Sequence, residues 1–384
     1  MTTEQNSELQ SHGTVDLFCG AGGLSAGFER AGFPIISAVD KNNDILGTYE
    51  YNHNCKPTEL DLSNEIDIDP IYDNIRENGY SSQDADIVIG GPPCKGFSQA
   101  NHQTGTADNP KNSLLLNFVD IALELNPEII VLENVPNMLS MGEGHFKNEV
   151  FNRLNDNEYH IISQELSAED FGVPQRRCRV FILACREREL TPPSEFESEF
   201  RDPPSIREAI FDLPDLPEGG GGSEVMEYDP GLSAGFDKIG DMSYIKKMRE
   251  NIDDGTLFNH QSTRNREKTY RRFSHIPQGG NWEDIPKELM DNYENLDRTH
   301  DNIYLRLSED DLAKTVANFR KQMMIHPTEN RLLTIREAAR LQSFPDDYRF
   351  TSDKITIKQQ MVGNAVPVNL AEAVARSVAE YFNQ

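Results

Sequence analysis

Asp86-Ile87-Val88-Ile89-Gly90-Gly91-Pro92-Pro93-Cys94-Lys95-Gly96-Phe97-Ser98 is the stretch whose reading decides the fold. Asp86 opens a short run of β-branched apolar residues that a glycine pair ends, which reads as a buried strand. Pro92 and Pro93 then limit the approach to Cys94 to one backbone shape. The thiol is therefore predicted on a stiff loop at the carboxyl end of a strand, the edge of an open α/β sheet where ligands bind. Taken alone, a cysteine in such a turn is more often a buried structural residue. The rest of the chain overturns that reading.

Upstream, Thr14-Val15-Asp16-Leu17-Phe18 reads as a strand, Cys19-Gly20-Ala21-Gly22-Gly23 as a glycine turn, and Leu24 to Arg30 as a helix. Strand, glycine turn and helix bring backbone close to a nucleotide-like ligand at a helix N-terminus. A second strand, Pro34 to Val39, ends in Asp40, an acid placed to accept hydrogen bonds from ribose hydroxyls. Glu59-Leu60-Asp61-Leu62 repeats an acid beside apolar residues after a third strand. Downstream, a polar loop (Gln99 to Asn112) is long enough to be functional. A helix over Ser113 to Asn126 leads to the strand Glu128 to Leu132, which delivers Glu133-Asn134-Val135 at its carboxyl end. Cys94 and Glu133 are thus predicted to face one crevice. A helix over 144–155 and a strand over 159–166 follow, and Gln175 to Leu183 reads as an arginine-rich entry into one final strand.

Near Arg186 the texture changes to proline clusters, acidic loops and the Gly219–Gly222 run, which marks a boundary. The expected domains are a catalytic one over 14–185, a second, irregular one over 186–325, and a C-terminal segment, 326–384, whose last helix completes the first. Within the second, residues 261–280 hold Arg264, Arg266, Lys268, Arg271 and Arg272 against the single acid Glu267. Such a run is usually a solvated face, but in this acidic chain it is a candidate phosphate-contact strip. Regularity returns at His326: Thr334 followed by Glu337 makes a capping box, and Gln360 to Pro367 leads into a helix over 368–381.

Across 384 residues the net charge is −27, extreme for a folded enzyme. Aromatics, glycine and proline punctuation and clear apolar strands exclude a disordered acidic chain. Surface acid at this density suits concentrated salt, where the Debye length falls to about 3 Å at 1 M, and predicts a halophilic source. The five cysteines form no CxxC pair and no Cys/His metal spacing, which predicts reduced thiols and no metal site. The polar first residues and the absence of a membrane-length apolar run predict a cytoplasmic protein.

Asp16–Phe28, Gly90–Ser98, Glu133-Asn134-Val135, Gln175–Arg179, Arg331–Phe350 and Gln360–Pro367 occur in an order and spacing that closely resembles the motif set of the DNA (cytosine-5) methyltransferases. The resemblance implies an α/β, Rossmann-like methyltransferase domain with a smaller inserted target-recognition domain, and S-adenosylmethionine as cofactor. It implies that Phe18 meets the adenine, that Gly20, Gly22 and Gly23 lie near the methionine moiety, and that Asp40, a glutamate in most of the family, holds the ribose. Asp61, Leu62, Pro93, Leu114 and Asn364 would complete that pocket. Cys94 would attack C6 of the target cytosine, Glu133 would hold N3 and the exocyclic amine, and Arg179, braced by Arg177, would position the base. The target base would leave the duplex to be reached. Ser98, Gln99 and the loop to Asn112 would close over the DNA.

Double-stranded DNA is the implied partner, the chain acting as a monomer, either beside a separate restriction endonuclease or as a solitary methylase. Two alternatives differ in their marks. A tRNA cytosine-5 methyltransferase of this fold would carry a Cys-Phe-Thr tripeptide, which does not occur here. A catalytically silent DNA-binding relative would lack one of the Cys, Glu or Arg residues, and none is lacking.

Overall fold

The computed structural model describes residues 9–63, 67–93, 113–196, 200, 202–252, 255–292 and 303–384. By its internal contacts the chain divides into two units, one made of residues 1–171, 178–199 and 366–384 and the other of 172–177 and 200–365.

The first unit is built on a mixed sheet. Its strands are β1 (Gly13–Leu17), β2 (Ile35–Asp40), β3 (Thr58–Glu59), β4 (Ala85–Gly90), β5 (Ile129–Asn134), β6 (His160–Ser167) and β8 (Cys178–Cys185); the short β7 (Gln175–Arg176) belongs to the second unit. The order is β3-β2-β1-β4-β5-β8-β6. From β3 to β5 every pairing is parallel, whereas β8 runs antiparallel to both β5 and β6. β4 and β5 carry continuous apolar runs (Ile87 to Ile89 and Ile129 to Leu132) because strands covered on both faces meet no water, whereas β1, equally buried, holds Thr14 and Asp16. Helices α1 (Gly23–Ala31), α2 (Asn43–Asn52), α3 (Asp69–Glu77), α4 (Ser113–Leu125) and α5 (His145–Asp156) connect the strands. The core joins Val15, Leu17, Val88, Ile130 and Leu132 to Phe118, Val119 and Ala122 of α4.

The chain leaves β1 toward β2 on one side and later builds β4 on the other, so the strand order reverses between β1 and β4. That reversal opens a crevice at the carboxyl ends of these strands. Because β8 is antiparallel, its first residues lie at the same edge as the last residues of β5: Asn134 is in register with Val180 and Glu133 with Phe181. This is why a single edge can receive side chains from the ends of β1, β2, β4 and β5 and from the start of β8. The C-terminal helix Val368–Phe382 belongs to this unit, where Arg30 of α1 donates to Asn369 and pairs with Glu372.

The second unit consists of short helices and two-stranded ribbons. α6 (Ile206–Ile210) and α7 (Ser243–Met248) precede α8 (Glu267–Phe273), α9 (Ile335–Arg340) and α10 (Ile355–Asn364). The capping box expected at Thr334 is present: its hydroxyl accepts from the Glu337 N–H while the Glu337 carboxylate accepts from the Thr334 N–H. The arginine-rich entry into the final strand forms a short strand of its own before β8. Gln175 and Arg176 pair in parallel with β11 (Ala313–Lys314), the last strand after the ribbon of β9 (Val225–Glu227) and β10 (Thr256–Phe258). Arg177 separates them from β8.

Buried arginines hold this unit together. The Arg340 guanidinium pairs with both Asp212 and Asp346 and donates to the Ala209 carbonyl, and Arg249 adds a second contact to Asp346 at 3.1 Å. Burial alone would raise the Asp346 carboxyl, but the charge of Arg340 and its hydrogen bonds hold it below the usual carboxylate range. Among the described residues, no helix is long and apolar enough to cross a membrane.

Candidate active site

The edge of the first unit is shaped by two backbone devices. Phe18 and Gly20 follow β1 with φ of 61° and 55°, and Gly22 caps α1 with φ of 82°. Left-handed conformations at Gly20 and Gly22 cost little because glycine has no Cβ. The turn thus aims the Gly20 N–H at Asp40, whose Oδ2 accepts it at 3.1 Å and whose Oδ1 accepts from the Asn42 N–H at 2.9 Å. Burial raises the Asp40 carboxyl, and those backbone donors partly offset it. Half-buried Phe18 stands at the start of this turn and Gly23 begins α1.

Asp61 is exposed, accepts from the Ser63 N–H at 3.0 Å, and is lowered chiefly by its hydrogen bond to the Ser63 side chain. Leu62 is buried and its carbonyl accepts from Asn117 of α4 at 2.8 Å, which ties the Asp61 loop to that helix. Leu114 is buried near the start of the same helix. Pro93 lies half-buried at the end of the described β4 loop. Asn364, the last residue of α10, is exposed and belongs to the second unit.

At the end of β5, Glu133 meets Arg179 of β8 in an ion pair of 2.9 Å, with both side chains largely buried, at 12% and 15% exposure. Arg179 also donates to the Cys178 carbonyl at 2.7 Å, so its guanidinium is held from two sides. Two contacts link this pair to the loop after β4. Asn134 donates to the Pro92 carbonyl at 3.3 Å, and a Cβ on Gly91 would come 2.8 Å from Glu133 Oε2. The loop that leads to Cys94 therefore packs against the Glu133 carboxylate only because Gly91 has no side chain. Sequence reasoning assigned neither Gly91 nor Asn134 a role; the signal was their place inside the two motifs.

Arg177 is buried in the second unit and donates to the carbonyls of Val316 and Gly363 at 3.0 and 3.2 Å. Cys94, Ser98 and Gln99 lie outside the described residues.

The five-residue basic strip is not uniform. Arg272 is buried, donating to the Leu289 carbonyl at 2.8 and 2.6 Å and to Tyr304 OH at 2.7 Å, so it belongs to the interior of the second unit and not to a phosphate-contact surface. Successive helical residues point about 100° apart, so Arg271 and Arg272 cannot share a face. Arg271 is exposed and pairs with Glu267 at 3.0 Å, Lys268 pairs with Asp291, and Arg264 and Arg266 are exposed. His326, Glu329 and Glu337 cluster closely enough to hold a cation. Both carboxylates are already engaged by Arg331, Glu337 at 2.7 and 2.8 Å and Glu329 at 3.0 Å, which makes the group an ion-pair cluster.

Comparison with known proteins agrees with this edge. The C-5 cytosine-specific DNA methylase family matches residues 13–380. The Type II methyltransferase M.DdeI of Desulfomicrobium norvegicum is 33% identical over 96% of this chain and 88% of its own length. The Type II methyltransferase M1.HphI of Haemophilus parahaemolyticus is 31% identical over 95% and 86%. A DNA modification methyltransferase encoded within an E. coli prophage superposes with a TM-score of 0.72 at 26% identity, covering 97% of this chain and 99% of that one. The Dnmt2 methyltransferase of S. pombe, at 16% identity and a TM-score of 0.60, shares the fold. By family match, full-length similarity and sheet architecture together, the chain belongs to the C-5 cytosine-specific DNA methylase family and is a DNA (cytosine-5) methyltransferase that uses S-adenosylmethionine.

Proposed function

We propose that the reaction proceeds through a covalent adduct between Cys94 and C6 of a flipped-out cytosine. The observation that carries this reading is the buried Glu133–Arg179 pair beside the Pro92-Pro93 loop that leads directly to Cys94. Cytosine C5 is a poor nucleophile, so electrons must first enter the ring. Thiolate addition at C6 places them on C5, while Glu133 holds N3 and the exocyclic amine and neutralises the charge that develops at N3. Arg179 orients both the carboxylate and the base. When bound, S-adenosylmethionine supplies an electrophilic methyl group on a sulfonium. Loss of the C5 proton to water then lets the ring electrons expel Cys94.

The cofactor fits the first unit's edge: a left-handed glycine turn with no Cβ at Gly20 or Gly22, the half-buried Phe18 ring, and an acid held by the same turn at Asp40. Asp61, Leu62, Pro93, Leu114 and Asn364 are proposed as further cofactor-binding residues. Residues 186–325 are proposed to read DNA, with Arg264, Arg266, Lys268 and Arg271 as phosphate contacts and Ser98 and Gln99 closing on the target. Similarity to Type II methyltransferases supports a role in restriction–modification, and a monomer acting in the cytoplasm is proposed with it.

DNA carrying 5-fluorocytosine tests the adduct, because fluorine cannot leave C5 as the proton does. The expected result is a denaturation-resistant protein–DNA complex that needs cofactor and is lost in Cys94→Ser. Persistence of the complex in that variant contradicts the assignment.

The net charge of −27 supports a halophilic setting. Close-spaced surface carboxylates repel unless screened, so the melting temperature should fall by more than about 10 °C on moving from molar salt to low-salt buffer. An unchanged melting temperature counts against it.

A further inference from the structure

Beneath the turn proposed to receive the cofactor, three elements share one hydroxyl. Asp16 of β1 is buried, and its Oδ2 accepts a 2.6 Å hydrogen bond from Ser25 Oγ in the first turn of α1. Ser25 Oγ also lies 2.7 Å from the hydroxyl of Tyr49 on α2, and both residues are fully buried. One turn farther along both helices, Glu29 pairs with His53 at 2.6 Å, and the His53 ring packs 4.2 Å from that of Tyr49. Two rungs spaced by one helical turn fix how α2 sits on α1. The glycine turn joins β1 to α1, and Asp40 closes β2 just before α2, so the brace spans the elements from which the cofactor contacts are drawn.

Donor counting sets the direction of the bonds. Ser25 and Tyr49 have one hydroxyl proton each. If Ser25 donates to Asp16, Tyr49 donates to Ser25, and the row ends on the carboxyl group. The titratable groups around Asp16 are Asp40 from β2, Cys19 from the turn, Tyr49 from α2 and Cys55 from the loop after it, with Glu29 beyond Cys55. Burial, opposed by the Ser25 hydrogen bond and reinforced by the charge of Asp40, pushes Asp16 up to about 8.

We propose that Asp16, Ser25 and Tyr49 are positioning residues that brace the cofactor turn, and that this brace releases a proton to solvent when S-adenosylmethionine binds. A cation arriving at the turn favours the ionised form of a nearby carboxyl. The Asp16 O–H bond breaks, the proton passes to bulk buffer, and the carboxylate stays held by Ser25. The demethylated product, S-adenosylhomocysteine, lacks the sulfonium charge and draws out less of the proton. The site then favours loaded cofactor over spent cofactor as pH rises toward 8.

This inference rests on the cofactor turn proposed above, and titration calorimetry separates the two. The full chain is titrated with S-adenosylmethionine and with S-adenosylhomocysteine near pH 7.5, in buffers of different ionisation enthalpy. The dependence of heat on buffer counts protons released. The expected count is between about half and one proton for the cofactor, clearly fewer for the product, and near zero in Asp16→Asn. Absence of any saturable heat overturns the cofactor turn itself and the brace with it. Saturable binding without proton release, or release undiminished in Asp16→Asn, overturns the brace alone and directs attention to Asp40.

The empty protein supplies a second readout. A carboxyl raised on folding means that the unfolded chain binds fewer protons, so the stability Asp16 contributes falls as pH rises from about 4 to 8. Asp16→Asn should flatten that slope. If this variant does not fold, Ser25→Ala carries the test. Removing the bond that lowers Asp16 should move the midpoint of proton release to higher pH, and an unmoved midpoint overturns the brace.

Discussion

Glu133→Gln is expected to lower methyl transfer by about two to four orders of magnitude while cofactor affinity stays within a few-fold. Glutamine keeps the shape of the side chain but can neither neutralise charge at cytosine N3 nor pair with Arg179, whose Nε lies 2.9 Å from the carboxylate. The loss should fall on the single-turnover rate, because the role proposed is made in the transition state. Gly91→Ala provides the companion result. Its new Cβ would stand 2.8 Å from Glu133 Oε2, so the carboxylate must swing aside. A displacement of this kind is expected to cost about tenfold to a hundredfold in rate, with cofactor affinity unchanged. A Glu133→Gln enzyme that retains more than about a tenth of the rate would remove the carboxylate from the mechanism.

Arg340→Met is expected to destabilise the chain by about 3–5 kcal/mol, measured by urea or thermal unfolding. Methionine matches much of the volume but leaves buried Asp212 without a cation and removes one of the three guanidinium partners of Asp346. Asp212 keeps the Tyr228 hydroxyl at 2.7 Å, and Asp346 keeps Arg249 at 3.1 Å, so the loss concentrates on Asp212. Lowering the pH toward 5 should narrow the difference, because a protonated carboxyl no longer requires a cation. A loss below about 1 kcal/mol would mean that the two aspartates find other partners. Arg306 offers a contrast within the same unit: its guanidinium donates to the carbonyls of Ile276, His326 and Phe273 instead of pairing with a carboxylate, and burial lowers it to about 10.

How far the sequence could be read depended on how local each signal was. β4 and β5 were legible because buried strands read as continuous apolar runs ended by glycine or an acid, and β1 because a glycine turn and a helix follow it. The cap of α9 was legible because Thr334 and Glu337 are three residues apart. The break at Arg177 was not, because the partner of Gln175-Arg176 is Ala313-Lys314, far along the chain. α10 was also missed: it opens Ile355-Thr356-Ile357, β-branched residues that favour strand, and tertiary packing overrides that preference. The neighbouring arginines Arg271 and Arg272 looked equivalent until the helix turned one outward and buried the other. In the candidate site, Glu133 and Arg179 stood in recognisable motifs, whereas the clearance at Gly91 and the Asp16–Ser25–Tyr49 row exist only once distant segments meet.

The central claim is that this enzyme methylates cytosine C5 in duplex DNA through Cys94. It is tested most directly by incorporating labelled methyl from S-adenosylmethionine into duplex DNA in molar salt, mapped at base resolution beside a Cys94→Ala control. The expected result is 5-methylcytosine at one short sequence motif, absent in the control. Methylation that persists in Cys94→Ala, or label found on a base other than cytosine, would contradict it.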